Sequence, residues 1–226
     1  MATGCASPPA LAPATYVVQP RDTLYSIAWR HDLDYRDLAR WNHIGPDYRI
    51  SVGQVLMLKA GNTRAPEAGP RAAPGPRAAP APRGAVREPS AVSPGSAPES
   101  VEAARQGCGW TWPTTFKAAP RPVPGGGVLL LGTLGQPIRA ACAGRVVYAG
   151  NGIRGYGNLI IIKHGETMLS AYAHTVQLEV HEGEDVAAGQ EIARMGTGAH
   201  DIAALYFEIR LNGKPVDPLP FLPLAK

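Results

Sequence analysis

Six histidines and three cysteines are the side chains of this chain best suited to hold a metal or to lead a nucleophilic attack. Zinc chemistry needs such residues in tight register: H-x-H along a strand, H-E-x-x-H on a helix, or paired C-x-x-C. None of these patterns occurs. His164 and His181 follow strand-like runs at expected turns, and the adjacent pair His200-Asp201 sends its two side chains in different directions. His174 closes the run "MLSAYAH" with no second histidine beside it. No G-x-S-x-G elbow is present, and neither Cys108 nor Cys142 lies in a local signature of activation. A lone histidine can carry a proton, but without a metal it cannot bring the pKa of bound water toward neutrality. The expectation is therefore no catalytic residue, no metal and no cofactor.

The elements that would position these residues fall into three regions. Residues 15–59 read as strand, helix, helix, strand: Tyr16 to Gln19 is extended, Asp22-Thr23 can cap a helix with Leu24, Ile27 and Ala28 on one face, and Leu38, Ala39 and Trp41 mark a second helix. Gly45-Pro46 ends that helix, and "QVLML" returns as a strand. Residues 60–107 are Ala, Pro, Gly and Arg, as in "PRAAPGPRAAPAPR", with too little apolar content to bury a core. They are expected to form a disordered tether. Residues 108–226 carry β-rich runs, "GRVVYAGN", "NLIIIKHG", "MLSAYAH", "QEIARMG" and "ALYFEIRLNGKP", separated by Gly-containing turns, which predicts a mainly β barrel or sandwich. The fold class expected is thus an α+β module (βααβ) joined by a linker to a mainly β domain.

Composition narrows the partners. The net charge is +4, spread as about +1, +2 and +1 over the three regions, so no region has the basic surface that nucleic acid demands. Aromatics are only 7% and interleave with no basic run, which argues against a base-stacking surface. No stretch approaches the roughly 18 apolar residues that span a bilayer. The first residues, "MATGCASPP", resemble the end of a bacterial lipoprotein signal, with Cys5 as the residue to be acylated; the alternative is an ordinary thiol in a disordered tail. An acyl chain would then be the only link to a membrane, and Ala6 after that cysteine favours the outer membrane under the rule such lipoproteins follow. Cys108 and Cys142 either pair in an oxidising periplasm or stay separate thiols; their spacing does not decide.

The first module resembles LysM, a family that binds the N-acetylglucosamine-containing glycan of peptidoglycan. "PRDTLYSIA", "ARWNHI" and "ISVGQVLML" carry the resemblance, with Arg21 where the family usually has glycine. It implies glycan contacts from Asp22, Thr23 and Leu24 and from Asn42, His43, Ile44, Gly45 and Pro46. The second domain, 108–226, resembles the LytM-type zinc peptidases along essentially its whole length, through "GQPIRAACAGRVVYAGNGIRGYGNLIIIKHGETMLSAYAH", "GEDVAAGQEIARMG" and "LYFEIRLNGKPVDPLPFL". In active members a zinc is held by the His and Asp of H-x-G-x-D and by the second His of H-x-H. Those three positions fall here on Gly125, Leu129 and Tyr206, and the first His of H-x-H on Ala204. Only the central glycine, Gly127, and the proton-handling His174 remain.

Joined in this order, the modules resemble the NlpD/EnvC-like envelope proteins, whose degenerate LytM domains activate periplasmic N-acetylmuramoyl-L-alanine amidases without cutting the wall. The resemblance implies a non-catalytic activator acting in septal wall splitting and daughter-cell separation. Its alternative is a wall-binding scaffold that recognises stem peptides or another envelope protein. Strand alternation places Leu205, Phe207 and Ile209 toward the core and Ala204, Tyr206, Glu208 and Arg210 toward the former substrate groove. By the same parity Ser170, Tyr172 and His174 share one face. Tyr156, Tyr172, His174, Tyr206 and Arg210 are accordingly the residues expected to hold the amidase.

Overall fold

The computed structural model describes residues 15–59, 107–198 and 201–224. Residues 60–106 of the expected linker, Cys5 and His200 lie outside the described residues. In the first module strand β1 (Thr15–Val17) pairs antiparallel with β2 (Val55–Met57), and helices α1 (Leu24–Arg30) and α2 (Tyr35–Trp41) fill the span between them. Thr23 is extended and caps α1 reciprocally with Ser26: its hydroxyl accepts from the Ser26 amide at 3.1 Å, and its own amide donates to Ser26 Oγ at 3.0 Å. Asp34 caps α2 by accepting from the Arg36 amide. With both helices capped, Leu24, Ile27, Leu38 and Leu56 turn inward and are essentially fully buried, each such side chain contributing about 1.5–3 kcal/mol.

Arg21 stands at φ 70°, a left-handed conformation that explains why glycine is usual there and that costs an arginine roughly 1–2 kcal/mol.

The second domain is a single antiparallel sheet curled on itself. Its strands are β3 (Arg121–Pro122), β4 (Val128–Leu131), β5 (Pro137–Arg139), β6 (Gly144–Gly150), β7 (Asn158–His164), β8 (Met168–Leu178), β9 (Asp185–Val186), β10 (Glu191–Met195), β11 (Ala204–Leu211) and β12 (Lys214–Val216). The order along the sheet is β3-β4-β11-β8-β7-β6-β9, with β10 bridging β8 to β5 and β12 on β11. Cys108 and Cys142 form a disulfide across a Cα–Cα distance of 6.0 Å, tying the lead-in segment to the barrel.

Two faces of this sheet have different partners. Val128, Leu130, Ile160, Ile162, Tyr172, Leu205, Phe207 and Ile209 pack inward as the barrel core. Leu159, Ile161, Leu169, Ala171 and Ala173 face outward, and there they form one continuous cluster with Trp29, Tyr35 and the rest of the first module's core. The helical module thus docks on the sheet's outer face. Polar contacts frame that docking: the Tyr35 hydroxyl donates to the Glu166 carbonyl at 2.6 Å, and the Arg36 guanidinium donates to the Asn212 side chain. Gly213 sits at φ 73° where an added Cβ would lie 2.6 Å from the Asp34 backbone, so the β11–β12 turn can approach the start of α2 only as glycine.

Candidate functional site

Antiparallel register puts Leu129 of β4 directly opposite Tyr206 of β11, so two of the three positions expected to have lost a metal ligand do meet. They line a pocket of about 280 Å³ together with Val123, Pro124, Gly155, Tyr156 and His174. Gly125 does not line this pocket; the turn presents Val123 and Pro124 there instead. Three rings surround the opening. Tyr156 and Tyr206 meet edge to face with centroids 5.6 Å apart, and His174 lies 6.1 Å from Tyr206. Gly127, at φ 83°, has no room for a side chain: a Cβ would stand 2.8 Å from the Tyr206 hydroxyl and 2.9 Å from the Phe207 carbonyl.

His174 reaches the pocket through a break in the strand pattern. Asn158 pairs with Thr175 and Leu159 with Ala173, which leaves His174 as an extra residue, at φ 62°. This is a β-bulge. Its amide donates to the Tyr156 carbonyl at 3.0 Å and its carbonyl accepts from the Gly196 amide at 2.8 Å, so the bulge is pinned on both sides. Burial lowers the pKa of the imidazole.

The bulge corrects the placement of Tyr172. Parity predicts that Tyr172 and His174 share a face, but the extra residue turns them to opposite ones. Tyr172 pairs with Phe207, is fully buried in the barrel core, and its oxygen accepts from the Ala141 amide at 2.8 Å. Burial pushes its phenol up to about 12. Tyr172 is therefore not a groove residue.

Arg210 is also displaced from the expected role, for a different reason. It does lie on the outer face with Tyr206 and Glu208, yet the helical module seals it to 4% exposure. Its guanidinium carbon lies 3.8 Å from the Trp29 ring centroid, Nη1 donates to the Trp29 carbonyl at 3.1 Å, and Nη2 pairs with Asp32 at 3.0 Å. Nε donates to Glu208 at 2.6 Å, and the other oxygen of Glu208 lies 2.5 Å from the Tyr206 hydroxyl. Burial and this carboxylate raise the Tyr206 pKa. Glu208, missed as a site residue, is what connects the pocket to the docked module; its only signal was its place in the alternation of β11.

The Peptidase family M23 profile matches residues 124–218, and the LysM domain profile matches residues 16–59. The Lipoprotein NlpD/LppB homolog of Pseudomonas aeruginosa is 42% identical over 92% of this chain and 76% of its own length. The chain belongs to the NlpD/LppB family. The Murein hydrolase activator NlpD of Salmonella typhimurium is 36% identical, covering 93% of this chain and 68% of that protein. The Uncharacterized lipoprotein YgeR of Escherichia coli is 39% identical, with 93% and 81% covered. Among the described residues no helix is long and apolar enough to cross a membrane.

Family M23 implies a zinc ion, and the residues around this pocket do not fit one. A catalytic zinc takes three protein ligands of the His, Asp, Glu or Cys type and keeps one open position. Of the lining side chains only His174 is of that type; the others are two tyrosines, a leucine, a valine, a proline and a glycine. Among the described residues one other group, Cys108, Cys142 and His164, clusters within ligand distance. Its cysteines are joined to each other, and both nitrogens of His164 are engaged at 2.7 Å, by the Ala143 carbonyl and by Ser170 Oγ.

In the LysM module the residues expected to touch glycan divide. Leu24 is corrected: it is 1% exposed, in the module's core. Asn42 is committed to the backbone, donating to the Leu38 and Met57 carbonyls and accepting from the Met57 amide at 2.7 Å. Asp22 accepts from the Tyr16 hydroxyl and pairs with Arg30 at 3.0 Å, and Thr23 is the helix cap. His43, Gly45 and Pro46 are exposed, and Ile44 packs against the core. Of the eight, Asp22, Thr23 and Pro46 line a cleft facing the barrel.

Proposed function

We propose that this protein is a non-catalytic envelope factor that binds peptidoglycan through its LysM module and activates periplasmic N-acetylmuramoyl-L-alanine amidases for septal wall splitting and daughter-cell separation. The observation that carries this reading is the pocket itself, where leucine faces tyrosine at the expected ligand positions and a single histidine remains. The names of the relatives, murein hydrolase activators among them, support the same reading. Relatives named as lipoproteins support acylation at Cys5 and attachment to the outer membrane.

Activation in this scheme is a shift between a closed and an open amidase. The activator must bind the open form more tightly, because equal affinity for both forms shifts nothing. Tyr156, His174 and Tyr206 are the contact residues: rigid aromatic and amphipathic groups on a recessed surface are favoured anchors for a protein partner. Arg210 and Glu208 act behind them by holding the Tyr206 ring.

The test is dye release from labelled sacculi by the full chain with zinc, alone and with a periplasmic amidase from the same organism. Release that requires both proteins is the expected outcome. Tyr206→Ala should abolish that stimulation, on the order of tenfold or more, while the circular dichroism spectrum and sacculus binding stay unchanged. Release by the chain alone would overturn the reading, and wall binding without stimulation would leave a scaffold.

A further inference from the structure

The docked modules enclose a cleft of about 780 Å³ between the LysM loops and the outer strands of the barrel. That volume is within the range of about 300–1,000 Å³ typical of ligand sites. LysM contributes Tyr25 and Tyr48, both half-buried, with ring centroids 5.7 Å apart and edge to face. The barrel contributes Arg145, Lys163 and Glu182.

These barrel groups are held in different ways. Lys163 is anchored, 5.8 Å from the Tyr48 ring centroid and 3.2 Å from Glu166. Glu182 accepts from the Ala149 amide at 3.3 Å, and burial raises its pKa. Arg145 is open to solvent and only loosely paired with Asp185 at 3.8 Å.

Aromatic surface beside donors and acceptors of both signs selects among ligands. The cleft is lined by three carboxylates, Asp22, Asp47 and Glu182, against three cations, Arg49, Arg145 and Lys163, so it has no net positive charge to select a phosphate-rich ligand. A wholly apolar one would strip water from Arg145 and Glu182 without replacing their hydrogen bonds. A chain of N-acetylated pyranoses fits, because each ring offers a C–H face to an aromatic side chain and hydroxyl and amide groups to charged ones.

We infer that this cleft is a composite glycan site, in which Arg145, Lys163 and Glu182 of the barrel hold sugar units beside those held by LysM. The inference rests on the reading of LysM as a glycan binder. The cleft exists only when the two modules are docked, so a glycan in it binds the docked form and stabilises it by linkage.

Isothermal titration of the full chain with chitohexaose tests it. Arg145→Ala and Glu182→Gln should each weaken binding about tenfold, as expected for a lost hydrogen bond to a charged group, and Tyr48→Ala at least as much. Lys117→Ala, at an exposed position outside the cleft, should bind like the unmodified chain. Thermal melts of each variant confirm folding, and Glu182→Gln keeps the shape of the side chain if Arg145→Ala proves unstable. Loss with Tyr48→Ala but wild-type binding by both barrel variants would overturn the composite site and leave LysM as the whole binding surface. No binding of chitohexaose by the unmodified chain would overturn both.

Discussion

Two buried polar chains run on opposite faces of the barrel sheet, and they are built from different chemistry. On the inner face the Ala143 carbonyl can only accept, so Nδ1 of His164 carries the proton and Nε2 accepts from Ser170 at 2.7 Å. Ser170 then accepts from Tyr172 at 3.0 Å, and Tyr172 accepts from the Ala141 amide. Each proton is used once, all three side chains are neutral, and every partner belongs to the barrel. On the outer face Tyr206, Glu208 and Arg210 form an ionic chain whose last member is satisfied by Trp29 and Asp32 of the other module. The neutral chain completes itself locally. The ionic chain is complete only when LysM is docked, because a buried guanidinium has more donors than one carboxylate can take.

The largest expected effect comes from breaking the ionic chain in the middle. Glu208→Ala leaves the Arg210 charge buried and should cost about 3–5 kcal/mol, read as a lower urea midpoint. Replacing both partners at once, Glu208→Leu with Arg210→Met, should cost much less, since no uncompensated charge remains. Equal losses in the single and double variants would mean that packing, and not charge, holds the outer face.

The inner chain should respond to pH instead. Burial depresses His164 to about 4, below its unfolded value of 6.5. The unfolded chain therefore takes up a proton at His164 before the native one does. Its stabilising contribution is complete above pH 6.5 and is lost as pH falls toward 4, by about 3 kcal/mol in total. Melting temperature measured across that window should fall, and His164→Asn should flatten this part of the curve.

The smallest effect belongs to the end of the ionic chain. The Asp32 side chain is 72% exposed, so Asp32→Ala should cost less than about 1 kcal/mol and the loss should shrink further in salt. A larger, salt-independent loss would place more of the docking energy in this contact than its exposure allows.

Much of this was legible from residue order alone. The first capped helix follows from Thr23 and the spacing of Leu24 and Ile27, and the second from Leu38 and Ala39, all local signals; the Asp34 cap emerged only in the structure. The alternation of β11 assigns Leu205, Phe207 and Ile209 to the core and Tyr206, Glu208 and Arg210 to the other face, and the barrel keeps that assignment. Gly125, Leu129 and Tyr206 cannot supply a His or Asp whatever the fold does. Side-chain identity and period two are properties of the chain itself.

Three other features were decided only in three dimensions. Alternation counts residues, so it fails wherever a bulge adds one: the extra residue at His174 sends Tyr172 into the core and His174 into the pocket. Arg210 has the right parity for a groove contact, and only the docking of Trp29, 181 residues away along the chain, turns it into a buried anchor. The cleft between Tyr48 and Arg145 likewise belongs to neither module's sequence, because its two walls meet only through the apolar outer face that LysM covers. Local rules fix what each strand and helix presents; which of those faces meet depends on contacts between distant segments, and those are set by packing.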